Sequence, residues 1–253
     1  MNIKMIVTDL DYTLLRRNKT ISDYTNYIFR CLQERGVLIA FATARDFRYI
    51  TEHISPLINI VPDIIITDNG ALARYNSNDL YKRLIPIDTA NTLLSRFDLV
   101  NCAATENAYF LTSDYANNHW SIGKKDTVIT DFSNGINDDA LYFDGIVGKS
   151  TTDITDGFSE VRAVTYSGVN VVTIVHREAT KLNALIAVER ALNISTDKMA
   201  AFGDDYSDIE MLRGCGVGVA VANAIDEVKA VAKYICGDCD EDGVAKWLEE
   251  RML

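Results

Sequence analysis

Short apolar runs alternate with amphipathic stretches in the first third of the chain. An apolar run of about four to eight residues that is bounded by polar turns is typical of a buried strand. Predicted strands cover Ile3–Thr8, Val37–Ala42 and Asp63–Ile66. The apolar spacing after the first strand predicts a helix over residues 22–35, with Ser22 as its N-cap. A second helix is expected to extend to about His53.

The same alternation resumes in the last third of the chain. Predicted strands cover Met199–Phe202, Val217–Val221 and Tyr234–Cys236, and predicted helices cover Lys181–Leu192, Tyr206–Arg213, Ala224–Lys233 and Val244–Arg251. Apolar strands rich in Val and Ile that alternate with amphipathic helices are typical of a parallel sheet with helices on both faces. We therefore predict an α/β fold built on a doubly wound parallel sheet.

Residues 83–177 have a different pattern. Their strand-like pieces are amphipathic or β-branched and are separated by helical stretches. These pieces are Tyr109–Thr112, Ala163–Tyr166 and Val171–Val175. We interpret this region as an inserted α/β module, so that residues 1–82 and 178–253 form one domain and residues 83–177 form a second. One continuous large domain is the alternative.

Composition and charge narrow the functional classes. The chain has 253 residues and a formal net charge of −11, and it has no stripe of Lys and Arg of the kind that nucleic-acid binding requires. No window approaches the roughly 18 consecutive apolar residues of a membrane helix. We therefore expect a cytoplasmic protein with no nucleic-acid or membrane partner. Five scattered cysteines argue against a disulfide framework, and we interpret Cys236 and Cys239 as incidental.

Three predicted strands end in abrupt polar clusters. Asp9 and Asp11 follow the first strand, Thr43-Ala-Arg45 follows the second, and Gly203-Asp204-Asp205-Tyr-Ser-Asp208 follows the strand that begins at Met199. The carboxyl ends of parallel strands lie on one edge of the sheet, where ligands bind in open α/β folds. The sequence therefore predicts that these clusters meet in one site.

The residue types in these clusters suit a divalent cation and a phosphate. Asp9 and Asp11 share one side of an extended segment, and Asp204 and Asp208 share one face of a helix start. An isolated Asp-x-Asp-x-Thr would be a turn with a helix cap, but several carboxylates at one edge form a hard-oxygen site suited to Mg²⁺. Such an acidic pocket needs a further cation to hold a phosphate, and Lys181 with the hydroxyl of Thr43 meets that need.

Four segments of the chain resemble, in order, the four motifs of the haloacid dehalogenase superfamily. They are Asp9-Leu-Asp11-Tyr-Thr13, Thr43, Lys181 and Gly203-Asp204-x-x-x-Asp208. The stretch from Gly203 to Ala224, followed by Glu241-Asp-Gly-Val244, is similar to the Cof-type branch of sugar-phosphate phosphatases. The resemblance implies a Rossmann-like core with an inserted α/β cap that contacts the substrate. The chain departs from the family pattern at Tyr12, Ala44 and Ser207, and none of these departures removes a charged catalytic group.

The resemblance also implies a role for each site residue. Asp9 would be the nucleophile of a Mg²⁺-dependent phosphatase and would carry an aspartyl-phosphate, and Asp11 would be the general acid and base. The metal residues would be Asp9, Asp11 through its backbone carbonyl, Asp204 and, further out, Asp208; the phosphate-binding residues would be Thr43 and Lys181. The substrate would be a small phosphorylated metabolite such as a sugar phosphate, and the sequence indicates no oligomeric state.

Three other functions are compatible with parts of the sequence. A phosphomutase of the same superfamily would return the phosphoryl group to a sugar rather than to water. A phospho-receiver would use Asp68, which follows a predicted strand, as its acceptor, although Asp68-Asn69-Gly70 is more simply a turn at the rim of the site. A binding or scaffold protein without turnover is the third alternative.

Overall fold

A computed structural model describes residues 2–96, 100–118, 126–146 and 155–253. The chain forms two compact units. One unit comprises Met1–Lys82 together with Thr180–Leu253, and the other comprises Arg83–Ala179. The assignment of these two regions as catalytic core and specificity cap stays a prediction.

The first unit is built on an eight-stranded sheet. Its strands are β1 (Met5–Thr8), β2 (Leu38–Ala42), β3 (Ile64–Thr67), β4 (Leu72–Tyr75), β5 (Asn78–Lys82), β12 (Met199–Gly203), β13 (Val217–Ala220) and β14 (Tyr234–Ile235). The order is β14-β13-β12-β1-β2-β3-β4-β5, with parallel pairing from β14 to β3 and antiparallel pairing of β4 and β5. The predicted α/β fold with a parallel sheet is confirmed.

The central strands of this sheet are buried along their length. All four residues of β1 and all five of β12 are buried, as expected for parallel strands that are covered on both faces. Residues on both sides of β1 continue the same hydrophobic core, including Phe41 and Phe202. β12, β1 and β2 are neighbours in the sheet, so the residues that follow them begin at one edge.

Short connecting helices complete the first unit. They are α1 (Asp23–Glu34), α2 (Phe47–Tyr49), α5 (Lys181–Leu192), α6 (Ile209–Gly214), α7 (Asp226–Val231) and α8 (Gly243–Met252). Ser22 caps α1 as predicted, because its hydroxyl accepts a hydrogen bond from the backbone N–H of Thr25. The helix expected to extend to about His53 is instead the short α2 followed by a wider π-helical turn, Ile50–Ile54.

The second unit contains a six-stranded sheet with two helices among its described residues. Its strands are β6 (Cys102–Thr105), β7 (Tyr109–Leu111), β8 (Thr127–Ile129), β9 (Ala140–Ile146), β10 (Val161–Tyr166) and β11 (Val169–His176), and its helices are α3 (Ile87–Arg96) and α4 (Ser113–Asn118). The order is β10-β11-β9-β6-β7-β8, and only the β7–β8 pair is parallel. Phe143 and Ile174 lie in a separate hydrophobic core in this unit.

Membrane insertion through helices has no support in the described residues. Within them, no helix combines the length and the apolar character that are needed to cross a bilayer.

Candidate active site

The parallel register brings three polar strand ends to one level of the first sheet. Thr8, the last residue of β1, pairs with Phe202 of β12 on one side and with Phe41 of β2 on the other. The next backbone N–H, that of Asp9, donates to the carbonyl of Phe202 at 3.0 Å. The residues that follow these strands therefore begin within one neighbourhood, as the sequence predicted.

Lys181 joins two of the predicted carboxylates. It is the first residue of α5, whose N-cap is Thr180, and only 2% of its surface is exposed. Its Nζ donates to Asp9 Oδ1 at 2.7 Å and to Asp208 Oδ1 at 2.7 Å. Burial opposes the charge on Lys181, but Asp208 and Asp9 raise its pKa above the ordinary value. The lysine is therefore a buried ammonium that is held between two carboxylates.

The second carboxylate oxygen of Asp208 accepts hydrogen bonds from the backbone just before it in the sequence. Its Oδ2 accepts from the backbone N–H groups of Asp204 at 3.0 Å and Asp205 at 3.2 Å. Gly203 makes this close approach possible, because a Cβ there would lie 2.4 Å from the Cβ of Asp208. Asp204 is oriented by Thr13, whose hydroxyl donates to Asp204 Oδ1 at 2.7 Å. Sequence reasoning missed Thr13, although it belongs to the quoted Asp-x-Asp-x-Thr stretch.

The carboxylates of Asp9, Asp204 and Asp208 form a compact acidic cluster. One oxygen from each lies within 4.8 Å of the others, and all three residues are buried. Burial raises the pKa of Asp9 to about 7, opposed by Lys181 and helped by Asp208. Burial also raises the pKa of Asp204 to about 8, together with the negative charges of Asp9 and Asp208. The single ammonium of Lys181 therefore leaves negative charge uncompensated, and three hard oxygen ligands at this spacing fit a divalent cation such as Mg²⁺.

Asp11 is turned toward two cations rather than toward this cluster. Its Oδ2 accepts from Arg45 Nε at 2.8 Å, and its Oδ1 accepts from Lys19 Nζ at 2.5 Å. Burial acts to raise the pKa of Asp11, but Arg45 and Lys19 hold it below the ordinary value. Sequence reasoning noted Arg45 only as part of a polar cluster and missed Lys19, which has no periodic or motif signal because it lies in a loop.

Thr43 is buried at the end of β2 and contacts the turn that follows β3. Its hydroxyl accepts from the backbone N–H of Arg45 at 3.1 Å, and its carbonyl accepts from the N–H of Asn69 at 3.2 Å. Only 1% of the surface of Thr43 is exposed. Asp68 of the same turn is fully buried, whereas Asp9 keeps 7% of its surface exposed, so Asp9 is the more accessible of the two candidate phosphate acceptors.

Tyr12 occupies a left-handed backbone position with a φ of 61°. A side chain in this region costs roughly 1–2 kcal/mol relative to glycine. Two contacts offset that cost: the Asn223 side-chain amide donates to the Tyr12 carbonyl at 2.7 Å, and the Lys19 ammonium lies 4.3 Å from the centre of the tyrosine ring. The departure from the family pattern at this position is therefore accommodated locally.

Ion pairs connect the loop after Asp11 to the segment that precedes α8. Arg16 forms an ion pair with Asp242 at 2.9 Å, and Arg17 contacts both Asp238 and Asp240. The two aspartates on either side of Cys239 thus have a cationic partner. Burial raises the pKa of Cys236 to about 12, so that this cysteine remains a thiol at neutral pH.

Comparison with known proteins identifies the family of the chain. The model of the haloacid dehalogenase-like hydrolase family matches residues 6–248. The Bacillus subtilis protein YcsE, named 5-amino-6-(5-phospho-D-ribitylamino)uracil phosphatase, is 29% identical in an alignment of 262 positions that covers 100% of this chain and 97% of YcsE. Bacillus subtilis YitU, which has the same name, is 25% identical in an alignment of 264 positions that covers 97% of this chain and 96% of YitU.

Solved structures share the fold. SMU.1108c from Streptococcus mutans matches with a TM-score of 0.86 and 22% identity over 98% of both chains. The subclass IIB sugar phosphatase BT4131 matches with a TM-score of 0.83 and 22% identity, also over 98% of both chains. Since the family model describes hydrolases and both Bacillus subtilis relatives are named phosphatases, the predicted enzyme class, a phosphoric monoester hydrolase, is confirmed. The chain belongs to the haloacid dehalogenase-like hydrolase family.

Proposed function

We propose that this protein is a Mg²⁺-dependent phosphatase that hydrolyses a small phosphate ester through a phosphorylated Asp9. The observation that carries the proposal is the joint arrangement of Asp9, Lys181 and the acidic cluster at the carboxyl edge of the sheet. Asp9 Oδ1 is bonded to Lys181 Nζ at 2.7 Å, and oxygens of Asp9, Asp204 and Asp208 lie within 4.8 Å of one another. This arrangement supports a site for both a divalent cation and a phosphoryl group.

Mg²⁺ would be held by the carboxylates of Asp9 and Asp204 together with the backbone carbonyl of Asp11. Asp208 supports it from behind, because its oxygens are bonded to Lys181 and to backbone N–H groups. When bound, Mg²⁺ offsets the repulsion between the carboxylates and an incoming phosphate dianion. Burial, together with neighbouring carboxylates, raises the pKa values of Asp9 and Asp204, and a bound cation would lower both.

The side chains divide the chemistry between two half-reactions. An oxygen of Asp9 attacks phosphorus, while Thr43 and Lys181 hold the phosphoryl oxygens and Asp11 gives its proton to the departing oxygen. In the second half, Asp11 takes a proton from water, the water oxygen attacks phosphorus, and the bond to Asp9 breaks to release inorganic phosphate. Arg45 and Lys19 orient the Asp11 carboxylate and keep it ionised in the substrate-free protein. Asp11 therefore takes up a proton from solvent when the negative charge of the bound phosphate raises its pKa, and it gives that proton to the departing oxygen.

The names of the relatives support a substrate class, a phosphorylated sugar or ribityl compound, for the proposed phosphatase. YcsE and YitU are both named for the phosphate ester of a ribitylaminouracil, and BT4131 is described as a sugar phosphatase. A phosphorylated sugar or ribityl compound is therefore the first class to test. Residues 83–177 serve in this proposal as the cap that selects the leaving group.

The decisive experiment is a phosphate-release screen with Mg²⁺. The panel contains p-nitrophenyl phosphate, sugar phosphates and 5-amino-6-(5-phospho-D-ribitylamino)uracil, and each compound is assayed with the wild-type protein and with Asp9→Asn. We expect the variant to retain less than about 1% of the wild-type rate, because the carboxylate nucleophile is obligatory. Asp23→Asn is the matched control, since Asp23 is exposed in the first turn of α1.

The outcome of this screen separates the proposal from its alternatives. Substantial phosphate release by Asp9→Asn would indicate direct attack by water and contradict a covalent intermediate. Conversion of a sugar phosphate into its isomer without free phosphate would indicate a phosphomutase. No turnover of any compound by the wild-type protein would favour a binding protein.

The role of Asp11 is tested by a second substitution. Asp11→Asn is expected to lower kcat by about 10² to 10⁴, the range typical of a general acid and base. Circular dichroism and urea unfolding show whether the variant is folded. A rate equal to that of the wild-type protein would remove Asp11 from proton transfer.

A further inference from the structure

We propose that the turn Asp68–Gly70 is a positioning element that sets Thr43 and Lys181 relative to each other, and that Gly70 is the positioning residue for Lys181. This inference rests on the proposed function, in which those two residues hold the phosphoryl group. The turn follows β3 and lies at the same edge of the sheet as the catalytic cluster. None of its residues takes part in the chemistry described above.

The backbone of this turn is unusual. Asp68, Asn69 and Gly70 have φ values of 53°, 57° and 95°, so three successive residues adopt left-handed conformations. Non-glycine residues in this region are strained and persist only when the surroundings impose the conformation. The side chain of Asp68 adds a further cost, because its buried carboxylate oxygens have no hydrogen-bond partner of normal geometry in the described part of the chain. Contacts with the rest of the fold must therefore stabilise this turn, because its backbone conformation and the buried Asp68 side chain are both unfavourable by themselves.

One side of the turn is bonded to the segment that contains Thr43. The N–H of Asp68 donates to the carbonyl of Arg45 at 3.0 Å, and the N–H of Asn69 donates to the carbonyl of Thr43 at 3.2 Å. Thr43 in turn donates its own N–H to Ile66 of β3 at 2.9 Å. The conformation of the turn is thus coupled directly to the backbone that carries the Thr43 hydroxyl.

The other side of the turn is packed against the start of α5. A Cβ on Gly70 would lie 2.2 Å from the carbonyl carbon of Thr180, 2.3 Å from its oxygen and 2.6 Å from the N of Lys181. All three atoms belong to the backbone, so no side-chain rotation relieves the overlap. Ordinary van der Waals contact begins at 3.4 Å, so a methyl group would push the α5 start away by about an ångström.

Such a shift acts directly on the catalytic lysine. Lys181 is the residue whose backbone would move, and its buried Nζ holds Asp9 and Asp208 at 2.7 Å each. A misplacement of about 1 Å at a reacting group can cost about 10²-fold in rate. Only glycine at position 70 allows both the positive φ and the close approach to the backbone of Thr180 and Lys181. Gly70 therefore determines the position of the Lys181 backbone.

The test compares Gly70→Ala with Gly36→Ala. Gly36 also has a positive φ, 78°, but a Cβ there would meet nothing within 4 Å, so this control reports backbone strain without the overlap. With p-nitrophenyl phosphate and Mg²⁺, kcat/KM is expected to fall by about 10²-fold for Gly70→Ala and by less than about twofold for Gly36→Ala. Equal effects of the two substitutions would overturn the proposal.

A double-mutant cycle with Lys181→Met distinguishes positioning from general damage. If Gly70 acts through Lys181, Gly70→Ala costs less than about threefold in the Lys181→Met background, because coupled residues are not additive. A full and independent loss in that background would indicate a merely structural role and contradict the proposal. Should the single variant fail to fold, the same pair is compared in the Asp68→Asn background, where the buried Asp68 carboxyl group no longer lowers stability at neutral pH.

Binding of orthovanadate with Mg²⁺, measured by calorimetry, separates this inference from the proposed function. A wild-type protein that binds vanadate but releases no phosphate from any ester would refute the phosphatase proposal and leave the turn testable by affinity alone. In that case Gly70→Ala is expected to weaken vanadate binding at least tenfold and Gly36→Ala to leave it unchanged. Unchanged binding by Gly70→Ala would overturn the inference.

Discussion

Lys181→Met removes the nitrogen that bridges the buried carboxylates of Asp9 and Asp208 and retains most of the lysine stem. The side chain of Lys181 is 1% exposed, and those of Asp9 and Asp208 are 10% and 1% exposed. Methionine is similar in length to the lysine stem and fills the same channel. The substitution therefore deletes charge and hydrogen bonds while it changes packing little.

The magnitude of the effect follows from the two bonds that are lost. Hydrogen bonds to charged groups contribute about 1.5–3 kcal/mol each, so the two 2.7 Å bonds represent about 3–6 kcal/mol. Breaking a buried ion pair by removal of one partner costs about 3–5 kcal/mol, because the remaining charge is uncompensated. The two values agree, and we expect the free energy of unfolding to fall by about 3–5 kcal/mol, a large part of a typical total of about 5–15 kcal/mol.

Urea unfolding at pH 7 without divalent cations measures this change. Lys246→Met is the matched control, because Lys246 is an exposed residue of α8, and its substitution is expected to change stability by less than about 0.5 kcal/mol. A loss below about 1 kcal/mol for Lys181→Met would mean that the buried ammonium is not needed to compensate Asp9 and Asp208. The reasoning about the cluster would then be refuted.

Two further predictions concern buried carboxylates and the metal. Burial, helped by the nearby negative charge of Asp46, raises the pKa of Asp68 well above its ordinary 3.8. Above about pH 4 the folded state therefore holds a proton that the unfolded state has released. The free energy of unfolding consequently falls as the pH rises. Asp68→Asn should therefore raise the free energy of unfolding at pH 8 and flatten its dependence on pH between 5 and 8, and an unchanged slope in urea unfolding would contradict this. Mg²⁺ at about 100 times its Kd should stabilise the folded state by about 2.7 kcal/mol. EDTA should reverse that gain and abolish phosphate release, whereas Asp204→Asn should not respond to Mg²⁺; an equal response of the variant would argue against the acidic cluster as the metal site.

The convergence of the acidic residues could be predicted because it depends on topology. Parallel strands place their carboxyl ends on one edge, so acidic residues directly after β1 and β12 had to lie near each other. Asp9 and Asp204 are only one residue beyond their strands. Lys181 begins a helix that returns to the same edge, and its contact with Asp9 agrees with its predicted neighbourhood.

Contacts made by irregular loops could not be predicted in the same way. Lys19 reaches Asp11 only because the loop between them turns back, and its own φ of 66° has no signal in the sequence. Thr13 binds Asp204 across 191 positions of the chain. The crowding at Gly70 depends on where α5 begins in space, which spacing along the sequence does not specify.

The antiparallel strands β4 and β5 were also missed, for a different physical reason. They extend the sheet at its outer side, and no residue of β5 is fully buried. A strand of this kind carries polar residues on both faces, and Asn78-Asp-Leu-Tyr-Lys82 has neither a continuous apolar run nor strict alternation. Hydrophobic periodicity detects strands through burial, so it detects outer strands poorly.

The central place of β1 in the sheet has a consequence for synthesis on the ribosome. Its neighbour β2 emerges soon after it, but its other neighbour, β12, begins at Met199. Until then, one side of the nascent β1 presents unpaired backbone groups and apolar side chains, which is a surface prone to aggregation. Asp9 also has to remain without its hydrogen-bond donor Lys181 until that residue, 172 positions further along, has been synthesised. We therefore expect late, slow closure of the sheet and a nascent chain that benefits from chaperones.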